Sequence, residues 1–218
     1  MKKAINISVW LILLGFVAAG IFLTIAPDQI PAHYNIQGQI DRWGSKYEYL
    51  IMPFMGLLFG AFMLWMARHE EKKGRDMNGK TVAWVNVFIL AQFDIMWVIF
   101  MRKALQGGDL GGADQITGKL TMVLLAASFI LIGNLMPKAQ RNSVFGLRTK
   151  WSNASDHCWQ QSQRLGGFVM VITGVLGVIL CAILPVSWGG IVLVVLIALA
   201  AIICVWISYR VYLRSQVQ

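Results

Sequence analysis

Six long apolar segments constrain the fold of this chain more than any other feature of its sequence. They lie at residues 5–26, 47–67, 81–101, 118–136, 167–185 and 188–209. Each can cross a hydrocarbon core about 30 Å thick as a helix, which takes roughly 20 apolar residues. The helical form is required because lipid cannot satisfy bare backbone N–H and C=O groups. The sequence therefore predicts an all-α, polytopic membrane protein with six transmembrane helices.

The composition supports a membrane protein throughout the chain. Hydrophobic residues make up 57% of the 218 residues, and charged residues only 13%, about half the share in a soluble domain.

We divide the chain into three units by its loops. They are a two-helix N-terminal unit with a polar loop at 1–67, a central helix pair at 68–136, and a polar segment with a C-terminal helical hairpin at 137–218.

Lysine and arginine are distributed unevenly between the loops, which predicts the orientation. Fourteen of the 19 lie at the N-terminus, after the second and fourth segments, or in the C-terminal tail. Because cytoplasmic loops carry the excess of these residues, both termini are predicted to be cytoplasmic. The net charge of +9 is then explained by topology and by contact with the lipid bilayer. Direct binding of nucleic acid is not expected, since the chain has no basic soluble domain.

The loop after the first segment, "PAHYNIQGQIDRWGSK" at 31–46, carries more chemistry than a connector needs. On the predicted orientation it lies outside the cytoplasm. Its imidazole, carboxylate, amide and ammonium groups either pin the loop to the helix ends or bind a polar ligand or peptide. His33 and Asp41 suit a metal ion, but two ligands are too few without help from another loop, so a metal site stays open.

The loop after the fourth segment, at 141–167, combines arginines with tryptophans on the predicted cytoplasmic side. Such a combination is typical of protein-binding hot spots and equally of helices at a membrane interface. Its "SNASD" stretch predicts the N-cap of a helix that begins near residue 155.

These two loops resemble known families. The inner pattern resembles the SdpI/YfhL family of bacterial membrane proteins, and its residues are Asn142, Gly146, Arg148, Thr149, Trp151, Trp159, Arg164 and Gly167. The outer pattern is similar to a short domain of unknown function that often precedes it, through Pro31, His33, Tyr34, Asn35, Gly38, Asp41 and Lys46. The chain departs from the inner pattern where serine replaces threonine at 152 and 162, and where Gln163 replaces histidine.

The resemblance implies a multi-pass protein of the bacterial cytoplasmic (inner) membrane. The best-known family member is an immunity protein that protects a bacterium from a secreted peptide toxin and can recruit a cytoplasmic repressor. We therefore expect a non-enzymatic protein without a cofactor, with a peptide toxin or envelope component as its partner outside and a regulator inside. The residues of the two motifs are the expected ligand and partner sites.

Two polar residues inside the third segment allow other functions. A carboxylate at the depth of Asp94 is costly unless it is partnered or neutral, and Asn86 lies eight residues before it, so both can face one polar seam. A small transporter built around Asp94 is one alternative, although broken-helix signals are missing. A membrane enzyme that acts on a lipid or envelope substrate through His33 and Asp41 is another, although it lacks a second histidine nearby.

Overall fold

The computed structural model describes residues 1–35, 39–107, 115–142 and 145–216. Within this part of the chain there are six α-helices, each long and apolar enough to cross a membrane. They are α1 (Lys2–Ile25), α2 (Ile51–Lys72), α3 (Asp76–Gln106), α4 (Gln115–Leu135), α5 (Asp156–Ile183) and α6 (Val186–Ser215). The predicted six-helix membrane fold is confirmed.

Helices α3 and α5 begin well before the apolar segments from which they were predicted. Polar residues continue the helical backbone there, outside the apolar stretch. The predicted cap is confirmed, because the Ser155 side chain accepts a hydrogen bond from the Cys158 N–H at the start of α5. Helices α5 and α6 are joined by Leu184 and Pro185 alone, which fixes proline just before the first turn of α6.

A short β-hairpin between α1 and α2 was not predicted. Strand β1 (Gln29–Tyr34) pairs antiparallel with β2 (Ile40–Ser45), and the register is irregular around His33. Its polar composition and Pro31 obscured the strand pattern in the sequence. A 3-10 turn (Lys46–Leu50) then leads into α2.

The helices associate as two groups of three. Helices α1, α2 and α3 pack on one another, as do α4, α5 and α6, and the groups meet mainly where α3 contacts α4. Within that contact the Gln92 amide donates to the Leu124 carbonyl (2.5 Å), and the Ser128 hydroxyl donates to Gln92 Oε1 (2.7 Å). The two helices of the predicted central pair, α3 and α4, thus pack mainly in different groups.

Helices α4 and α5 approach closely through glycine. A Cβ added to Gly133 would lie 2.6 Å from the Gly167 carbonyl oxygen, and one added to Gly167 would lie 2.6 Å from that of Gly133. On the same face, a Cβ at Gly174 would lie 2.7 Å from the Ile130 nitrogen. Small residues allow such backbone contact between helices in membranes, so this pair admits no side chain at these points.

The bundle has two distinct ends. The hairpin end comprises the β-hairpin, the start of α2 and the α5–α6 turn. The loop end comprises both termini, the α2–α3 junction and residues 136–142 and 145–155. Packing of Ala4 with Ala67 and Val82 places the N-terminus at the loop end, and a 3.2 Å contact between Cys158 Sγ and Ser215 Oγ places the C-terminus there.

Candidate functional site

Two partly exposed ion pairs lie at the β-hairpin. His33 Nδ1 lies 2.6 Å from Asp41 Oδ1, across the strands, and the two side chains are 63% and 41% exposed. Arg42 and Glu48 form a two-pronged pair, with Nη2 2.8 Å from Oε2 and Nη1 3.2 Å from Oε1. The Glu48 hydrogen bond raises the pKa of the Arg42 guanidinium above its ordinary value, so the hairpin presents paired rather than free charges at these positions.

Glu48 was missed by the sequence reasoning. It closes a capping box with Ser45 at the turn that enters α2, and its Oε1 also accepts the Ser45 N–H at 3.2 Å. The signal was present, since serine followed three residues later by glutamate is the signature of this motif. A Cβ on Gly44 would overlap Glu48 Oε1, so the absence of a side chain on this glycine leaves space for the carboxylate.

The base of the hairpin is fastened to the helices below it. Lys46 Nζ lies 3.1 Å from Asp28 Oδ1 and donates to the Ala26 carbonyl at the end of α1 (3.3 Å). The Tyr49 hydroxyl donates to the Pro31 carbonyl at 3.1 Å. A cation at a helix C-terminus is favourable for the helix dipole, so Lys46 stabilises the junction.

The far end of the hairpin is closed by Asn35. Its Oδ1 accepts the Gln39 N–H at 2.9 Å, and its own N–H donates to the Gln39 carbonyl, also at 2.9 Å. The Tyr34 ring lies 6.5 Å from that of Phe100 on α3. Gly38, the remaining member of the predicted outer set, lies outside the described residues.

A cavity of about 740 Å³ lies beneath the hairpin, between the two helix groups. His33, Tyr34 and Asn35 line its roof, and Trp97 and Phe100 line its α3 wall. The opposite wall comes from the other group, through Gly118, Thr121 and Met122 of α4 and Val186 and Gly190 of α6. The predicted outer residues thus border a space that both groups enclose.

At the loop end, the described residues of the inner pattern are held together by the buried amides of Asn142 and Gln163. Asn142 accepts the Phe145 N–H at 2.7 Å and donates to the Gln140 carbonyl at 2.6 Å. Gln163, fully buried, accepts the Leu147 N–H (2.8 Å) and donates to the Leu147 carbonyl (2.9 Å). Gln163, which replaces the histidine of the family pattern, therefore forms hydrogen bonds with both the N–H and the carbonyl of Leu147.

The next turn connects this segment to α6. The Thr149 hydroxyl donates to Ser208 Oγ at 2.9 Å, and the Trp151 ring lies 5.0 Å from that of Tyr209. Ser152, fully buried, accepts the Thr149 N–H at 2.9 Å. Since α6 begins beside the cavity and carries Ser208 near its other end, one helix joins the cavity to this turn.

The predicted inner residues divide into buried and exposed sets. Trp159 is 1% exposed, and its indole N–H donates to the Ala139 carbonyl at 2.7 Å. It therefore holds the segment together from inside and offers no surface to a partner in this structure. Arg148 and Arg164 are exposed, and Lys150 Nζ lies 5.2 Å from the Trp151 ring centre.

A buried carboxylate at the α2–α3 junction was also missed. Glu70 has no exposed surface, and its Oε2 lies 3.0 Å from Arg75 Nε and accepts from the Asn78 amide at 3.2 Å. Asn78 in turn accepts the Gln140 N–H at 2.9 Å, and Arg75 donates to the Arg141 carbonyl at 3.0 Å. In the sequence, Glu70 and Arg75 belong to a run of charged residues that is typical of a solvated loop. The composition therefore gave no indication that Glu70 is buried.

The intramembrane polar residues both face α1 and α2. The buried Asn86 amide donates to Ser8 Oγ at 3.1 Å and contacts the Gly60 carbonyl at 3.4 Å. Asp94 lines a small void with Gly15 and Pro53. Asp94 therefore lies against α1 and α2, as expected if it shares one polar face of α3 with Asn86. Across the described ranges, histidine, cysteine, aspartate and glutamate form no group of three that could hold a metal ion.

Comparison with known proteins confirms the resemblance of the two motifs. Residues 138–208 match the SdpI/YfhL protein family, and residues 10–57 match a domain of unknown function, DUF1648. The chain is 23% identical to a Bacillus subtilis (strain 168) protein named "Immunity protein SdpI" over 216 residues, which are 97% of each chain. No solved structure matches it.

Proposed function

We propose that this chain, a multi-pass membrane protein that carries an SdpI/YfhL family region after a DUF1648 region, is an immunity protein. The observation that carries the proposal is the similarity to SdpI along 97% of both chains. The alignment covers the residues of both polar ends of the bundle and of all six helices, so the similarity is not confined to one motif.

In this proposal the hairpin end faces outward and senses a secreted peptide toxin or an envelope component. The lysine and arginine asymmetry supports the orientation. The His33–Asp41 pair supports the recognition role, since both side chains remain substantially exposed although they are bonded to each other. An exposed pair can exchange that bond for one to a ligand, whereas the Lys46 and Tyr49 contacts keep the hairpin in place.

The loop end faces the cytoplasm in the same proposal and recruits a regulator. Arg148, Lys150 and Arg164 are exposed. The buried hydrogen bonds between Gln163 and Leu147 hold the backbone next to Arg148 and Lys150. A rigid cationic surface favours a partner with an acidic surface, because complementary charges steer association and fix its register.

The test is complementation of a Bacillus subtilis strain that lacks SdpI, grown together with the SdpI-containing parent strain. We expect the wild-type chain to restore survival, and His33→Ala or Asp41→Ala to abolish it at unchanged membrane abundance. Gln29→Ala is the matched control, since it alters an exposed residue of the same hairpin. Failure of the wild-type chain to protect, although it is inserted at normal abundance, would contradict the immunity function.

A second experiment separates the two ends. Arg148→Ala and Trp151→Ala are expected to reduce co-purification of a cytoplasmic partner with the membrane protein and to leave outer recognition intact. Lys80→Ala is the control, since it removes an exposed cation at the loop end away from this turn. Equal recovery of partner with all three variants would count against recruitment by the turn.

A further inference from the structure

The cavity beneath the hairpin is lined in part by the ends of helices that are able to span a membrane. Its walls include Ile51 at the first residue of α2, Thr121 in the second turn of α4, and Gly190 in the second turn of α6. These positions belong to helices that are apolar and long enough to span a bilayer. We expect lipid to reach a space between such helices from the side, in addition to solutes from the hairpin end.

The charges at the cavity are already paired. His33, Arg42 and Glu48 are its charged lining residues among those that the structure describes, and each has an ion-pair partner. The rest of the lining is largely aliphatic or aromatic. A charged ligand would find no unpaired opposite charge in this lining, so the cavity favours an uncharged, apolar ligand.

One polar group in the lining lacks a partner. Trp97 is 3% exposed, and its indole nitrogen has no hydrogen-bond partner in the described part of the chain. A buried tryptophan N–H normally finds an acceptor. Trp97 also borders the small void that Asp94 lines, and a carbonyl oxygen on a ligand in the larger cavity would supply an acceptor from the other side.

The cavity is flanked by apolar surface that faces the bilayer. Tyr47 and Ile51, both lining residues, are 62% and 63% exposed, and lipid covers such surfaces on a membrane protein. The volume of about 740 Å³ lies within the roughly 300–1,000 Å³ typical of small-molecule sites.

We propose that this cavity binds one acyl chain of a membrane lipid, with the uncharged ester carbonyl placed to accept from the Trp97 N–H. The chain contacts both helix groups, through Trp97 on one side and Val186 on the other. It therefore lies, as a component of the bilayer, between the two groups of helices. The hairpin's ion pairs border this cavity, but the acyl chain does not use their charges.

The test uses the whole protein reconstituted in phosphatidylglycerol–phosphatidylethanolamine vesicles that contain a phosphatidylcholine with a diazirine on one acyl chain. After irradiation, mass spectrometry maps the crosslinked residues. We expect crosslinks at Trp97 and Met122, inside the cavity, in addition to those on the outer surface. Gly190→Phe should reduce the cavity crosslinks about tenfold, since a Cβ there meets only Met122 Cε, at 3.7 Å, and the ring can fill the space.

Gly20→Phe is the matched control, because nothing lies within 4 Å of a Cβ at that position. It should leave the cavity crosslinks unchanged. If Gly190→Phe fails to insert, Thr121→Phe fills the same cavity from α4. The role of the indole is tested with a diether lipid, which lacks the carbonyl. It should crosslink several-fold less than the diester lipid in the wild type and equally in Trp97→Phe.

Absence of cavity crosslinks in the wild type would overturn the proposal. So would crosslinks that persist in both filled variants. Loss of toxin protection in a filled variant whose lipid crosslinks are unchanged would show instead that the cavity serves a peptide. The immunity function is scored separately by survival, so either hypothesis can fail without the other.

Discussion

Gly146→Ala should strongly destabilise the loop end. Gly146 has φ of +104°, where an L side chain costs about 1–2 kcal/mol. The added Cβ would overlap Gln163 Oε1, so the amide must move away from Leu147. Loss of two hydrogen bonds of about 1 kcal/mol each brings the expected cost to about 3–4 kcal/mol.

The measurement is SDS-induced unfolding in mixed micelles, followed by far-ultraviolet circular dichroism. Gly74→Ala is the matched control, since Gly74 also has positive φ (+73°) but nothing lies within 4 Å of its Cβ position. It should cost only about 1 kcal/mol. The double variant Gly146→Ala/Gln163→Ala should cost less than the sum of its parts, because the overlap is removed. Equal destabilisation by the two glycine substitutions would refute the reasoning.

Three further outcomes are expected. In a background without the native cysteines, an impermeant maleimide applied to intact cells should label Trp43→Cys and spare Ala154→Cys, and the reverse pattern would invert the proposed orientation. Asp94→Asn should keep normal abundance and protection, measured by immunoblot and survival, whereas lost protection at normal abundance would indicate that its ionisation matters. Glu70→Ala should cost about 3–5 kcal/mol in the same unfolding assay, since it leaves Arg75 without its buried carboxylate, and a change below about 1 kcal/mol would show that the charge is solvated instead.

The helices were predictable from the sequence because their signal is local. Apolar length alone predicts a span, and the Ser155 cap depends on a few neighbouring residues. The β-hairpin was harder, since Pro31 and the irregular register around His33 break the alternation that reveals strands. Residue identity showed that the outer loop was unusual but not which side chains would pair.

The inner site was predicted only as a set of residue types. Arginine with tryptophan suggests a binding surface, yet Trp159 is buried and Arg148 is exposed, a difference that depends on how the turn packs against α5 and α6. The bond between Thr149 and Ser208 joins residues 59 positions apart, so no local pattern contains it. The sequence showed only that Gln163 replaces an ionisable histidine. Its structural role depends on its position beside the backbone of Leu147, which the sequence does not reveal.

The arrangement of the helices in two groups of three bears on how such a protein can be dissected. The DUF1648 match, at 10–57, lies wholly within the first group, and the SdpI/YfhL match, at 138–208, begins after α4, within the second. Each match therefore falls within one helix group, without covering all of its helices. Co-expressed fragments 1–107 and 115–218 should find each other in the bilayer through the Gln92–Ser128 contact, much as two subunits of a heterodimer would.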